Sequence, residues 1–130
     1  YISLEYALRY YNLIPEIVYL ITSVGSRKTK MIKSSTGNFS YRVIKESLFF
    51  GYKIIEIGGV SFRIAEPEKA LLDFLYLRSD IKSEDDIEEL RINWDVFHEI
   101  IDSEKLAEYA KAFNSKVLFQ KIIKINKKKK

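Results

Sequence analysis

The stretch from Ala65 to Arg78, AEPEKALLDFLYLR, places the strongest constraint on the fold. Pro67 suits the first position of a helix, where its missing N–H is no loss, and a carboxylate at Glu68 favours the positive end of the helix dipole. Apolar side chains then occupy almost the whole circumference: Ala70, Leu71, Leu72, Phe74, Leu75 and Leu77. A helix this apolar has to be covered on most sides, so we predict that it is the central, buried helix of the domain.

The same helix carries a narrow polar stripe. Lys69, Asp73 and Tyr76 follow one another at spacings of four and three residues, and Glu68 lies next to Lys69 in the first turn. Because Lys69 and Asp73 are one turn apart, they favour an ion pair. We expect this stripe to face water or a polar neighbour.

The residues before this helix predict a short N-terminal helix and a β-rich region. Ser3 is a suitable N-cap for a helix that continues to Tyr11. β-Branched and aromatic residues, together with the hairpin signal Gly58-Gly59, indicate strands at 18–24, 29–33, 39–44, 52–57 and 60–64. Short connections favour a mainly antiparallel, twisted sheet of about five strands.

The last third of the chain predicts helices only. Helix starts are indicated at Ser83, at Asn93 or Asp95, at Ser103 and at Ser115. In the last helix we place Val117, Leu118, Ile122 and Ile125 on the apolar side and Lys116, Lys121 and Lys124 near the other. The predicted fold is a single α+β domain over residues 1–126, followed by a basic tail at 127–130.

Charge and composition limit the class of protein. Seven lysines and no acids lie between Lys116 and Lys130, which leaves a net charge of −3 on the preceding residues of a chain whose total is +4. Such a tail either binds nucleic acid or an acidic partner, or is a solvated end. The chain has no cysteine and no apolar run of membrane-spanning length, so we expect a cytoplasmic protein. Because it begins with Tyr1, we expect it to be part of a longer protein.

The residues offer little for catalysis. His98 is the only histidine, and no glycine-rich phosphate loop is present. Glu66, Glu68 and Lys69 resemble the acid-acid-lysine cluster of metal-dependent nucleases only faintly, since their order along the chain is wrong. We therefore expect no enzyme, no cofactor and no metal site.

A basic segment is the better candidate for binding. If strands 28–33 and 39–44 pair as a hairpin, its charges gather on one rim or face, with a tyrosine between them. This rim suits phosphate groups or an acidic protein surface, or it is simply a charged edge strand that discourages aggregation. The candidate binding residues are Arg27, Lys28, Lys30, Lys33, Tyr41, Arg42 and Lys45.

Four segments together resemble a known family. They are YISLEYALRYYNLIPE (1–16), VYLITSV with RKTK (18–30), FSYRVIK with LFFGY (39–52) and AEPEKALLDFLYLR (65–78). In this order and spacing they resemble the C-terminal domain of the AbiEi family, whose members are described as antitoxins and predicted transcriptional regulators of viral defence systems.

The resemblance implies a function and partners. It implies an upstream winged helix-turn-helix that binds operator DNA, and a type IV abortive-infection system in which the antitoxin opposes a cognate nucleotidyltransferase toxin. Members of the family are similar in repressing their own operon, and direct contact with the toxin stays open. The alternative is a nucleic-acid-binding module that uses the basic rim and the lysine-rich tail.

Overall fold

The computed structural model describes residues 1–15, 20–25, 30–34 and 37–128. Helix α1 (Leu4–Tyr10) comes first, and strands β1 (Leu20–Gly25), β2 (Lys30–Ser34) and β3 (Gly37–Val43) follow. One turn of 3-10 helix (Glu46–Leu48) leads into β4 (Tyr52–Ile57) and β5 (Val60–Ala65). Parts of the predicted strands 18–24 and 29–33 lie outside the described residues.

Helices make up the rest of the described chain. They are α2 (Pro67–Leu77), α3 (Glu84–Glu89), α4 (Trp94–Ile100), α5 (Ser103–Phe113) and α6 (Lys116–Lys128). The mixed α+β class that the sequence predicted is confirmed. No described helix has both the length and the apolar character that crossing a bilayer requires.

The strands do not form the single antiparallel sheet that we predicted. β3 lies between β1 and β2, parallel to β1 and antiparallel to β2, whereas β4 and β5 pair only with each other as an antiparallel hairpin. Gly58 and Gly59, both with positive φ, form the turn of this hairpin. The prediction was wrong because short connections suggest that successive strands pair, and they do not reveal that β3 separates β1 from β2.

Helix α2 is the centre of the core, as predicted. Every residue from Glu68 to Leu75 is buried. Helices α1, α5 and α6 all contact α2, and they add Leu8, Leu106 and Leu118 to the same apolar core. Burying each large apolar side chain stabilises the fold by roughly 1.5–3 kcal/mol, which is enough to offset the cost of enclosing a few polar groups beside it.

Local hydrogen bonds explain where the later helices begin. The Ser83 hydroxyl accepts a bond from the Asp86 N–H while the Asp86 carboxylate accepts one from the Ser83 N–H, which is a capping box. Asn93 caps α4, and the Ser115 hydroxyl accepts from the N–H of Leu118 at the start of α6. The predicted cap at Ser103 is wrong by one residue, because Asp102 accepts the capping bonds of α5.

Helix α6 differs from the prediction in two respects. It continues to Lys128 and so includes two residues that we assigned to the tail. Lys121, which we placed on the polar side, is only 4% exposed, whereas Val117, which we placed on the apolar side, is 60% exposed. The inward face of α6 is therefore formed by Leu118, Lys121 and Ile125.

Candidate functional site

A buried polar network joins the start of α1 to the middle of α2. The Nζ atom of Lys69 lies 2.6 Å from Oδ1 of Asp73, and neither side chain is accessible to solvent. The other carboxylate oxygen, Oδ2, accepts hydrogen bonds of 2.8 Å from the hydroxyls of Tyr1 and Ser3. Lys69 also donates to the Tyr1 hydroxyl at 2.7 Å. The predicted ion pair is present, and its neighbours are polar side chains rather than water.

Aromatic rings and a glycine close this network. The Lys69 ammonium lies 4.8 Å from the ring centre of Phe50 and 5.2 Å from that of Phe113, distances at which a cation is attracted to the ring. Gly51 has a φ of +73°, and a Cβ added there would lie 2.9 Å from Cγ of Lys69. Only a glycine fits at this point without displacing the lysine side chain.

Burial opposes both charges of the pair. Desolvation lowers the pKa of Lys69 and raises the pKa of Asp73, while the opposite charge of each partner acts against these shifts. Desolvation also raises the pKa of the Tyr1 phenol, and the Asp73 carboxylate adds to that effect. Solvent does not reach the pair, which joins the segment before α1 and the segment around Phe50 to α2.

The other two members of the predicted polar stripe have separate partners. Glu68 is 2% exposed, and its carboxylate accepts a hydrogen bond of 2.8 Å from the N–H of Asp102, the residue that caps α5. Tyr76 is half-buried, and its ring packs edge-on against Phe113 with 5.0 Å between the ring centres. The structure therefore does not bring Glu68 or Tyr76 into the Lys69–Asp73 network.

A second polar cluster lies at the start of α2. The Glu66 carboxylate accepts hydrogen bonds from the Tyr109 hydroxyl at 2.6 Å and from the Lys105 ammonium at 3.0 Å. Burial acts to raise the pKa of Glu66, but these two hydrogen bonds outweigh it, and the net pKa lies below its ordinary value. The bond to Glu66 raises the pKa of Tyr109 to about 12. Both acids of the faint nuclease-like cluster, Glu66 and Glu68, are therefore held by donors from α5 or its cap.

The predicted basic rim is only partly described. Arg27 and Lys28 lie outside the described residues. β2 and β3 pair as the predicted antiparallel hairpin, with Lys30 opposite Tyr41 and Lys33 opposite Asn38. Lys30 and Lys33 are an odd number of residues apart, so they occupy register positions on opposite faces of the strand.

The rest of the rim follows the same pairing. Arg42 lies opposite Val24 of the parallel neighbour β1. Lys45 follows β3 and is exposed at the start of the 3-10 turn. The register therefore distributes these basic residues over the two faces and one end of the strands, rather than over a single face.

A groove between the end of α2 and the start of α6 was not predicted. Its volume is about 440 Å³, and its floor includes Leu75, Tyr76 and Leu118. Lys121 lies at its edge and donates hydrogen bonds to the backbone oxygens of Leu75, at 2.7 Å, and Arg78, at 2.9 Å. We call this feature the α2–α6 groove.

Sequence patterns could have revealed one of these features and not the others. Lys121 lies three residues after Leu118 and four before Ile125, which is the spacing of the apolar face, so its inward position was readable. The bonds from Tyr1 and Ser3 to Asp73 join residues about seventy positions apart, and no local pattern encodes them. The same is true of Glu66 and Tyr109.

Among the described residues, no group of three or more histidine, aspartate or glutamate side chains is arranged to hold a metal ion. Comparison with known proteins adds no assignment: no protein-family model, curated protein or solved structure matches this chain.

Proposed function

We propose that this chain is the non-enzymatic C-terminal domain of an antitoxin and transcriptional regulator of the AbiEi kind. In this role it belongs to a type IV abortive-infection system, opposes a nucleotidyltransferase toxin and supports repression of its own operon. Operator DNA is bound mainly by an upstream domain, and this chain acts through its surface.

One observation carries the proposal: three of the four segments that resemble the family meet in space. Tyr1 and Ser3 come from the first segment, Phe50 and Gly51 from the third, and the Lys69–Asp73 pair from the fourth. The resemblance thus includes residues that build one buried network, and this supports the proposal that the segments specify a common fold.

The positions of the acids support a role without catalysis. Glu66 and Glu68 bind donors from α5 and its cap, and Asp73 is enclosed with Lys69. A general acid or base has to reach a substrate within hydrogen-bond distance, and a metal ligand needs a free lone pair directed at the ion. These three carboxylates are already engaged within the protein.

Co-expression with the toxin tests the proposal. Cells that express the cognate nucleotidyltransferase from the neighbouring gene are expected to stop growing, and simultaneous expression of this chain is expected to restore growth. The variant Asp73→Ala, which disrupts the buried network, should restore growth less well than Glu108→Ala, an exposed change on α5. Continued growth arrest in the presence of soluble, folded chain would reject the proposal.

A second candidate function is nucleic-acid binding by the basic rim on the β2–β3 hairpin, together with the lysine-rich tail. The described residues of this rim are Lys30, Lys33, Tyr41, Arg42 and Lys45. The antiparallel pairing of β2 and β3 favours it, because it places a lysine directly opposite a tyrosine. Phosphate contacts predict affinity that falls steeply with salt, with a logarithmic slope of about −0.9 per contact.

Fluorescence anisotropy with a labelled duplex at several salt concentrations measures that slope. Replacing Lys30, Arg42 and Lys45 by glutamate should weaken the binding and reduce its salt dependence. Arg91→Glu together with Lys111→Glu, at two exposed positions outside the hairpin, provides a control. Equal affinity of the two variants would exclude the hairpin as the binding surface.

A further inference from the structure

The α2–α6 groove combines an apolar floor with a cationic border. Leu75, Leu118 and the ring of Tyr76 line the floor, and Val117, which is 60% exposed, forms one wall. Lys82, Lys121 and Lys124 stand around it. Val117 is therefore an exposed apolar side chain beside an apolar floor, and a partner bound in the groove would cover it.

The charged side chains that line the groove are lysines. Among the described residues, the lining includes no aspartate or glutamate. The nearby acid Asp80 is engaged by Arg78, which donates two hydrogen bonds of 2.8 Å to its carboxylate. Burial lowers the pKa of Lys121, the Asp80 carboxylate acts against this shift, and the ammonium groups of Lys82 and Lys124 add to it. An anionic group placed in the groove would relieve this repulsion between like charges.

Two of these three lysines are also held in position. Lys121 uses two of its three donors on the backbone oxygens of Leu75 and Arg78, and Lys124 donates to the backbone oxygen of Lys82 at 2.5 Å. Each ammonium therefore keeps a fixed place and retains donor capacity for an acceptor. Fixed cations lose less conformational freedom on binding than freely moving lysines do.

We propose that the α2–α6 groove is a docking site for an acidic segment of a partner protein that carries apolar side chains. The groove is open, since Ser79, Lys82, Val117 and Gln120 are themselves exposed, and an open groove cannot enclose a small ligand as a ligand pocket does. A peptide segment that alternates carboxylates with leucines fits both features: its leucines cover the floor and its carboxylates meet the lysines. This inference does not depend on the antitoxin role.

Titration with a defined peptide tests the proposal. The probe is a synthetic peptide of leucines and glutamates, and the matched control replaces each glutamate with lysine. In ¹⁵N NMR spectra of the full chain, the acidic peptide is expected to shift the amides of Ser115, Val117 and Lys121 in a saturable manner. The basic peptide is expected to shift none of them.

Two groove variants, one control variant and one competitor complete the test. Lys124→Glu should weaken binding of the acidic peptide about fivefold, and Val117→Asp should weaken it similarly. Lys111→Glu, an exposed charge reversal on α5, should leave the affinity unchanged. The proposal is overturned if the shifts map outside the groove, if both peptides bind equally, or if single-stranded oligo(dT) displaces the acidic peptide from the groove with higher affinity.

Discussion

The ion pair between Lys69 and Asp73 lies at the point where three separate parts of the chain meet. Asp73 accepts hydrogen bonds from Tyr1 and Ser3 at the start of α1, and the ammonium of Lys69 faces the ring of Phe50. A charge removed from water is tolerated when its partner and its remaining hydrogen bonds are supplied by the protein, and here both are present. We therefore expect the pair to lock the fold, in the sense that it holds α1 and the segment before β4 against α2.

Removing one charge of this pair should be severely destabilising. Asp73→Ala leaves the Lys69 ammonium buried without a counter-charge, and we expect the free energy of unfolding to fall by about 3–5 kcal/mol. Urea unfolding followed by circular dichroism measures the loss. The double variant Lys69→Met with Asp73→Leu, which removes both charges, should lose less than Asp73→Ala alone.

The exposed change Glu108→Ala serves as the control and should shift the urea midpoint only slightly. A single Asp73→Ala variant that is as stable as this control would show that the buried pair does not lock the fold.

Gly51 leaves room for the side chain of Lys69, and a comparison with a second glycine isolates how much this close approach contributes to stability. Gly51 and Gly59 both have positive φ, but an added Cβ would meet Lys69 at 2.9 Å at Gly51 and nothing within 4 Å at Gly59. Gly59→Ala should therefore lower the free energy of unfolding by about 1–2 kcal/mol, which is the cost of a positive φ for a residue with a Cβ. Gly51→Ala should lower the free energy of unfolding by the same amount plus about 1–3 kcal/mol for the clash with Lys69.

Thermal and urea unfolding of the two variants give the difference directly. Equal stabilities would mean that Lys69 moves aside without penalty and that the close approach of Gly51 does not matter.

The local parts of this fold could be predicted from the sequence, and the long-range parts could not. Some elements depend on residues only a few positions apart, so the spacing of those residues predicts them. They are helix α2, the β4–β5 hairpin and the caps at Ser83 and Ser115. The parallel pairing of β1 with β3 depends on how distant segments share the core. The spacing of residues along the chain does not contain that information. The same is true of the hydrogen bonds from Tyr1 and Ser3 to Asp73.

The candidate site follows the same division. The helical spacing predicted that Lys69 and Asp73 pair, but the surroundings of that pair come from other elements. The basic rim was predicted as one surface because its residues are close in sequence, whereas strand alternation assigns Lys30 and Lys33 to opposite faces. The groove was missed because its walls come from α2 and α6, which are about forty residues apart.

The Glu66–Tyr109 bond should make stability depend on pH on the acid side. The pKa of Glu66 lies below its ordinary value of 4.5 in the folded protein, so the unfolded chain binds the proton more tightly. The contribution of this carboxylate is therefore fully present above about pH 4.5 and is lost as the pH falls through the lower, folded-state pKa.

Tyr109→Phe tests this dependence because it removes the 2.6 Å bond while keeping the ring that packs against Phe50. At neutral pH we expect it to lower the free energy of unfolding by about 1 kcal/mol, and the difference from the parent chain should shrink in acid. Tyr10→Phe, at a more exposed position, is the control. A difference that is independent of pH would show that Glu66 is not the group responsible.

Lys121 supports the end of α2 through its charge, and its replacement should lower the free energy of unfolding. Its ammonium satisfies the backbone oxygens of Leu75 and Arg78, where the negative end of the helix dipole also favours a cation. Lys121→Met keeps most of the length of the side chain but leaves both oxygens without this donor, and we expect a loss of about 1–3 kcal/mol in urea unfolding. Lys124→Met, which removes a single bond to the backbone of Lys82 at an exposed site, should cost less than half as much. If the two variants lose the same stability, water replaces the Lys121 ammonium at these oxygens, and the lysine is not needed to stabilise the end of α2.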